Sequence, residues 1–306
     1  MDVAGIRSER MRSHRLSAPA ASVAEAAAHM LATQAQEFWG GRWALAARTR
    51  GQPRLSDVDA AFDRGEIVRS WTMRGGRLTR KELFEVWAAA GVSPAGQRGY
   101  HLLVGLSLSG VLCQGPVVPR EGGPTREQYI VLMEEWVRDA VAPADPPAEF
   151  FARFVASHGP AGARDFAWWS GLPLGVARRA AEAAGDRLRV VDDEPEPQYV
   201  AAGPAPRRAA EVPEVIALPP FEEYYLSYAD RTVPCAPEFL AAIGPSMNGI
   251  VRPILVAGGE VVGVWSHSVA VGRHADDPVP ELFAPGAASD ASVAAALDRY
   301  RRFITG

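Results

Sequence analysis

Three times along this chain, segments with helical apolar spacing give way to a β-type run, in units of roughly sixty to seventy residues. In the first unit, "ASVAEAAAHMLATQ" carries apolar residues at helical spacing behind Ser17 and Pro19, which read as start signals. "LSDVDAAFDRG" follows, with Ser56 as N-cap, Asp57 and Asp59 in the first turn and Gly65 at the end. "EIVRSWTMRGG" is then β-branched and aromatic, a strand closed by two glycines. The order returns at "LTRKELFEVWAAAG", where Thr79 and Glu82 form a capping box, and at "SPAGQRGYHLLVGLSLSG", which stops at Gly110. "VLCQGPVV" and "EQYIVLMEEWV" pair as strands around the tip "VPREGGPTR". After the linker "APADPP" come helices at "AEFFARFVASHG", "AGARDFAWWSGLP" and "LGVARRAAEAAG", then a hairpin at "RLRVVDDEPEPQYVAA". Helices followed by a β wing make a winged-helix pattern. Three such units, too divergent for a sequence repeat, make a tandem array.

Composition shifts after "GPAPRRAAEVPE". "VIALPPFEEYYLSYADR" reads as a strand entering a loop and short helix, and "GIVRPILVAGGEVVGVWSHSVAVGR" as a meander turning at Gly258-Gly259. "SVAAALDRYRRFI" closes the chain as an amphipathic helix. The expected architecture is α+β and mainly helical: winged helices over 1–78, 79–143 and 144–203, then a β-rich region with a terminal helix over 204–306.

Several function classes are disfavoured by content. No stretch approaches a membrane span, and the charged start "MDVAGIRSERMRSHRLS" lacks the apolar core of a signal peptide, so the protein reads as cytoplasmic, with no membrane partner. Cys113 and Cys235 lie far apart in apolar or loop contexts and read as buried bystander thiols; the six histidines fall at no close ligand spacing. No metal and no cofactor is expected. Basic residues comprise one lysine, Lys81, and 31 arginines, so a Schiff base could come from Lys81 or the terminal amine alone. The net charge of −4 hides an asymmetry, with eight arginines against four acids in residues 1–54. A locally basic end allows an acidic protein to bind nucleic acid.

Five ordered phrases carry a family resemblance: "LATQAQ" (31–36), "EIVRSWTMRG" (66–75), "HGPAGARDFAWWSGLPL" (158–174), "LPPFEEYYLSYADR" (218–231) and "NGIVRPILVAGGEVVGVW" (248–265). Together they resemble the winged-helix DNA-binding superfamily that contains the AlkZ-type bacterial DNA glycosylases. The resemblance implies a C-shaped array of three winged helices gripping duplex DNA, and a monomer, bacterial and nucleoid-associated. It also implies catalytic residues in a glutamine-apolar-glutamine motif, here Gln34 and Gln36, for removing bulky N7-alkylpurines, interstrand crosslinks included. One departure stands out. In the family "MRG" continues into a Thr-Leu-His phrase, a return strand and a long helical stretch, whereas here Gly75-Gly76 runs directly into "RLTRKEL". Either the protein lacks that segment or the sequence has closed over it between Gly75 and Gly76; a wing strand without its partner would expose backbone groups, which favours the second reading.

Two glutamines are neither acid nor base at neutral pH, so the reaction they serve must need little proton transfer. An N7-alkylguanine meets that condition: the base is cationic, leaves as a neutral purine, and its glycosidic bond is already weak. What remains is to orient a water and stabilise an oxocarbenium-like sugar with amide carbonyl dipoles. Residues two apart diverge on a helix, so Gln34 and Gln36 converge only where the helix has ended, an ending that Gly40-Gly41 suggests. Taken alone, such a pair is commonly solvated amides. Expected DNA contacts are Arg12, His14 and Arg15 before the first helix, and Arg69, Trp71, Met73 and Arg74 in the first wing, where Trp71 and Met73 equally suit a strand core. Arg178-Arg179 and Arg207-Arg208 are weaker phosphate candidates, and Trp168-Trp169 suit core packing. The expected activity is a monofunctional glycosylase acting on N7-alkylguanine in duplex DNA and leaving an abasic site. The alternatives are a non-enzymatic winged-helix DNA-binding protein such as a transcription regulator, and a protein-binding scaffold.

Overall fold

The computed structural model describes residues 1–33, 37–67, 78–125, 127–137, 142–193, 195–209, 211–270 and 273–306. The chain opens with a helix not expected from its sequence, α1 (Val3–Ser13), whose charged surface gives no amphipathic signal. Asp2 caps it through the Gly5 amide. Then follow α2 (Val23–Met30), capped by Ser22 and not by the earlier Ser17, and α3 (Phe38–Ala47). Gly40 and Gly41, read as a helix end, lie inside α3 and are buried. Gly40 is there for closeness: a Cβ would come within 3.3 Å of Pro220 and 3.4 Å of Pro219, so the glycine lets α3 press against "LPPF".

Helix α4 (Leu55–Asp63) includes Ser56, which therefore lies within the helix and is not its cap. Helix α5 (Arg80–Ala89) has the Thr79/Glu82 capping box. It is followed by α6 (Arg98–Leu108) and the antiparallel strands β1 (Leu112–Val117) and β2 (Gln128–Leu132), then one turn, α7 (Met133–Trp136). Leu83, Trp87, Leu103, Leu112 and Ile130 form the core beneath this hairpin. A second helix-helix-hairpin run comprises α8 (Pro146–His158), α9 (Ala163–Ser170), α10 (Leu174–Ala184), β3 (Leu188–Asp192) and β4 (Gln198–Ala201). Its core centres on Phe151, Phe154, Phe166 and the alanine face of α10. Beyond lie β5 (Val215–Leu218), α11 (Glu223–Leu226), α12 (Leu240–Ile243), β6 (Ile254–Ala257), β7 (Glu260–Ser266), β8 (Val279–Leu282) and α13 (Asp290–Thr305). The four strands form one antiparallel sheet in chain order, turning at Gly258-Gly259 between β6 and β7.

Two compact units result, and they are not sequential. Met1–Leu55, Ala142–Val269 and Arg273–Gly306 make one; Ser56–Val141 and Ala270–Gly272 make the other. The first 55 residues thus share a unit with segments that the sequence pattern assigned to a third and a fourth region. No helix among the described residues is long and apolar enough to cross a membrane.

Three ties bind the ends of the larger unit. Arg7 on α1 donates to the Val233 carbonyl at 2.6 Å and pairs with Glu260 on β7 at 2.7 Å. An aromatic cluster joins α3, β7 and α13: Tyr300 lies 4.6 Å from Trp265 and 5.3 Å from Trp43, ring centre to ring centre, and Phe303 lies 5.1 Å from Trp43. The indole N–H groups of Trp43 and Trp265 donate to the consecutive carbonyls of Ala217 and Leu218 on β5, each at 2.9 Å. The third tie is a sealed ion pair. Arg48, at the C-terminal end of α3, meets Glu222 through both terminal guanidinium nitrogens, Nη1 and Nη2, with side-chain exposures of 0% and 1%. Further hydrogen bonds support the pair: Arg48 Nη1 donates to the Ala44 carbonyl at 3.1 Å, and Glu222 accepts the Tyr224 amide at 3.2 Å, while the buried Arg48 Nε has no partner among the described residues. Breaking a buried pair strands a charge at a cost of about 3–5 kcal/mol. Arg48→Ala should therefore lower the unfolding free energy by about that amount in urea titrations; a loss below about 1 kcal/mol would show that the pair does not hold this unit.

Candidate active site

The motif residues Gln34 and Gln36 lie outside the described residues, as do Arg69, Trp71, Met73, Arg74 and the Gly75-Gly76 junction. The frame around the glutamines is described. Helix α2 stops at Met30, a fully buried residue, and Leu31 takes a left-handed conformation at φ 66°, so the backbone has left the helix before the motif begins. Four residues after Thr33, the chain is again placed at Glu37, the N-cap position of α3, whose side chain makes no capping bond. Phe38 is buried, the Arg42 guanidinium lies 4.2 Å above its ring, and Trp39 packs 5.8 Å from Tyr300 and 6.1 Å from Trp265. Both shoulders of the motif are thus anchored in the larger unit.

Beneath the first shoulder runs a buried polar network that the sequence did not announce. His29, in the last turn of α2, bonds the Ser13 carbonyl at 2.7 Å. His14 is fully buried, with its ring 4.7 Å from that of His158. The Tyr228 hydroxyl donates its proton to the His158 carbonyl at 2.7 Å. It must therefore accept from His14 Nε2 at 2.8 Å, which assigns the His14 proton to Nε2. The Arg10 guanidinium lies 3.4 Å from the centre of the Tyr228 ring and donates to the Pro160 carbonyl at 3.1 Å. Glu223, in direct sequence after the ion-paired Glu222, accepts from Trp169 Nε1 at 2.9 Å and Ser227 Oγ at 2.5 Å, with His158 Nε2 3.6 Å away. Asp165 links α9 to the same segment by accepting the Gly162 and Ala229 amides, each at 3.0 Å.

These positions correct three expectations. His14 is the C-cap residue of α1 and faces the interior, so it presents no atom to DNA. Arg12 and Arg15 lie at the end of α1 and just beyond it, not before the first helix; Arg12 pairs with Glu9, and Arg15 reaches Glu25 at 3.6 Å. Trp168 is 53% exposed and donates to the Leu226 carbonyl at 2.9 Å, whereas Trp169 is the one that packs inward. The signal that could have flagged the network is the pair Glu222-Glu223 between an apolar strand and "YYLSY", since acids amid such apolar residues need buried partners. Cys113 and Cys235 are buried free thiols whose pKa values burial pushes up to about 11. Among the described residues no three His, Cys, Asp or Glu side chains are arranged so that they could hold a metal ion.

Two histidines of this network, His14 and His29, are held neutral. Burial, reinforced by His158, Arg48 and Arg10, keeps His14 well below its ordinary 6.5. Burial brings His29 down to about 4, against the opposing Ser13 carbonyl bond. A depressed histidine pKa means that the unfolded chain binds the proton first, so stability is complete above pH 6.5 and is lost as pH falls toward 4. At about 1.4 kcal/mol per pH unit, His29 alone removes on the order of 3 kcal/mol across that window. Unfolding free energies measured from pH 7 to 4 should fall accordingly, and His29→Gln should flatten the curve; equal slopes for both proteins would refute the coupling.

Comparison with known proteins agrees with this architecture. The sequence profile of the family described as "DNA glycosylase AlkZ-like" matches residues 27–92 and 74–303, a span that includes the glutamine motif. The two stretches overlap over 74–92, where the chain departs from the family phrase after "MRG". No curated protein matches. The solved structure of the Streptomyces sahachiroi DNA glycosylase AlkZ is similar in fold, with a TM-score of 0.67 at 20% identity, covering 98% of this chain and 97% of that one. With the profile matched along nearly its whole length, the chain belongs to the AlkZ-like DNA glycosylase family.

Proposed function

We propose that this protein is a monofunctional DNA glycosylase. It hydrolyses the N-glycosidic bond of N7-alkylguanine in duplex DNA, unhooks interstrand crosslinks of that chemistry and leaves an abasic site. The observation that carries this reading is the position of Gln34-Ala35-Gln36 within the matched family span, immediately after a helix that has already ended. In this reading the two amide oxygens orient the attacking water and face the cationic sugar, and neither needs to titrate. A crosslinked base cannot rotate out of the duplex, so the site works on the lesion in place and is open.

The two helix-helix-hairpin runs support assigning residues 79–143 and 144–203 as winged helices; residues 1–78 would form the first and 204–306 a β-rich wall. Arg12 and Arg15, with Arg69, Trp71, Met73 and Arg74, are the proposed DNA contacts; His14 is withdrawn from that set by its burial. Hydrolysis without strand cleavage fits the scarcity of amines. The single lysine, Lys81, is 87% exposed on α5 beside Glu85, and the terminal amine pairs with Asp192 at 2.6 Å.

Base release from a duplex with one N7-alkylguanine should fall about 100-fold or more in Gln34→Ala and Gln36→Ala, with duplex affinity retained. The same variants should fail on an N7–N7 interstrand crosslink. Tight duplex binding without any base release by the native protein would favour a DNA-binding regulator. Borohydride added during turnover should trap no protein–DNA adduct, and an adduct lost in Lys81→Ala would overturn the monofunctional assignment.

A further inference from the structure

A histidine just beyond β7 reaches into the aromatic cluster that receives the start of α3. Tyr300, on α13, is fully buried, and burial pushes the pKa of its hydroxyl up, so the group keeps its proton and needs an acceptor. His267 Nδ1 lies 2.9 Å from that oxygen. The other ring nitrogen, Nε2, lies 3.1 Å from the Asp276 carbonyl, which can only accept, so Nε2 carries the ring proton. Burial lowers the His267 pKa, which leaves the ring neutral at pH 7 with Nδ1 as the acceptor. The Tyr300 proton therefore runs to His267, and the ring that takes it is itself oriented by Asp276.

What this bond steadies is close to the glutamine motif along the chain. The Tyr300 ring lies 5.8 Å from that of Trp39 and 4.6 Å from that of Trp265, and Trp39 lies 6.1 Å from Trp265, so Trp39 rests on both. Trp39 is the third residue after Gln36, a tether of at most about 10 Å, and a shift at the start of α3 is handed directly to the motif. Without its acceptor the Tyr300 hydroxyl would be buried and unsatisfied. A ring that turns to relieve this moves its neighbours, because a packed interior transmits strain.

We propose that His267 is a positioning residue for base release: it fixes Tyr300, and through Tyr300 it fixes Trp39 and the start of α3, to which the glutamine motif is joined. The role rests on the proposed glycosylase activity. Single-turnover release of base from a duplex carrying one 7-methylguanine tests it, measured well below the melting temperature of every variant. Tyr300→Phe, which removes only the hydroxyl, and His267→Ala should each slow release about tenfold with duplex affinity unchanged. The double variant should be no slower than either single, because both remove one bond. His267→Asn, whose Oδ1 stands where Nδ1 stood, should recover most of the rate. A rate within about twofold of the native one in Tyr300→Phe, losses that multiply in the double variant, or an Asn variant as slow as the Ala variant overturns the proposal. Fluorine NMR of protein labelled with 5-fluorotryptophan reads the tie without any activity, the Trp39 signal being assigned through Trp39→Phe. That signal should move in both single variants and return in His267→Asn; a signal that stays in place overturns the tie. No base release by the native protein overturns the glycosylase reading and with it the role in catalysis, while a Trp39 signal that moves as expected still upholds the tie.

Discussion

A guanidinium and a carboxylate from positions 174 residues apart meet in the dry interior of the larger unit, and much else depends on their meeting. Two charges that leave water together are tolerable only when geometry and extra hydrogen bonds make up for lost hydration. Arg48 ends α3 and Glu222 caps α11, so each stands where a backbone group is in reach, and Arg48 Nε alone of the guanidinium nitrogens lacks a partner among the described residues. The consequence is positional. Strand β5 and the "LPPFEEYY" turn are held against α3, with Pro219 and Pro220 pressed onto Gly40. The aromatic cluster of Trp43, Trp265 and Tyr300 is tied to the same strand through the two indole N–H groups.

That joint explains why the glutamine motif has firm shoulders. Met30 is sealed on one side, and Phe38 with Trp39 is packed on the other. A pair of neutral amides gains nothing from titration, so what it contributes rests on placement, and placement depends on the elements that flank it. His14 and His29 stay neutral by burial and hold α1 and α2 to the segments carrying Tyr228 and Ser13.

Much of the local structure was legible in the residues. The Thr79/Glu82 box, the stop at Gly110, the two hairpins and the Gly258-Gly259 turn follow from rules that act over a few residues, namely caps, periodicity and turn chemistry. Two misreadings share one cause. Gly40-Gly41 looked like a helix stop but lies within a helix, because close packing, not conformational freedom, is what required glycine there. Helix α1 carries too many charges to show an apolar stripe, yet several of those charges have partners far along the chain: Arg7 with Glu260 and Arg10 with the Pro160 carbonyl and Tyr228.

The sequence by itself determined the family, the order of helices and hairpins over residues 79–201 and the neutral chemistry available to Gln34 and Gln36, because motif identity and short-range pattern are written in adjacent residues. Tertiary structure alone decided that residues 1–55 share a unit with the distant C-terminal half, that His14 is a core histidine and that Glu222 and Glu223 are buried acceptors. The physical reason is that a polar side chain carries no mark of its partner. Whether it meets water, DNA or another buried group depends on which remote segment the fold brings beside it.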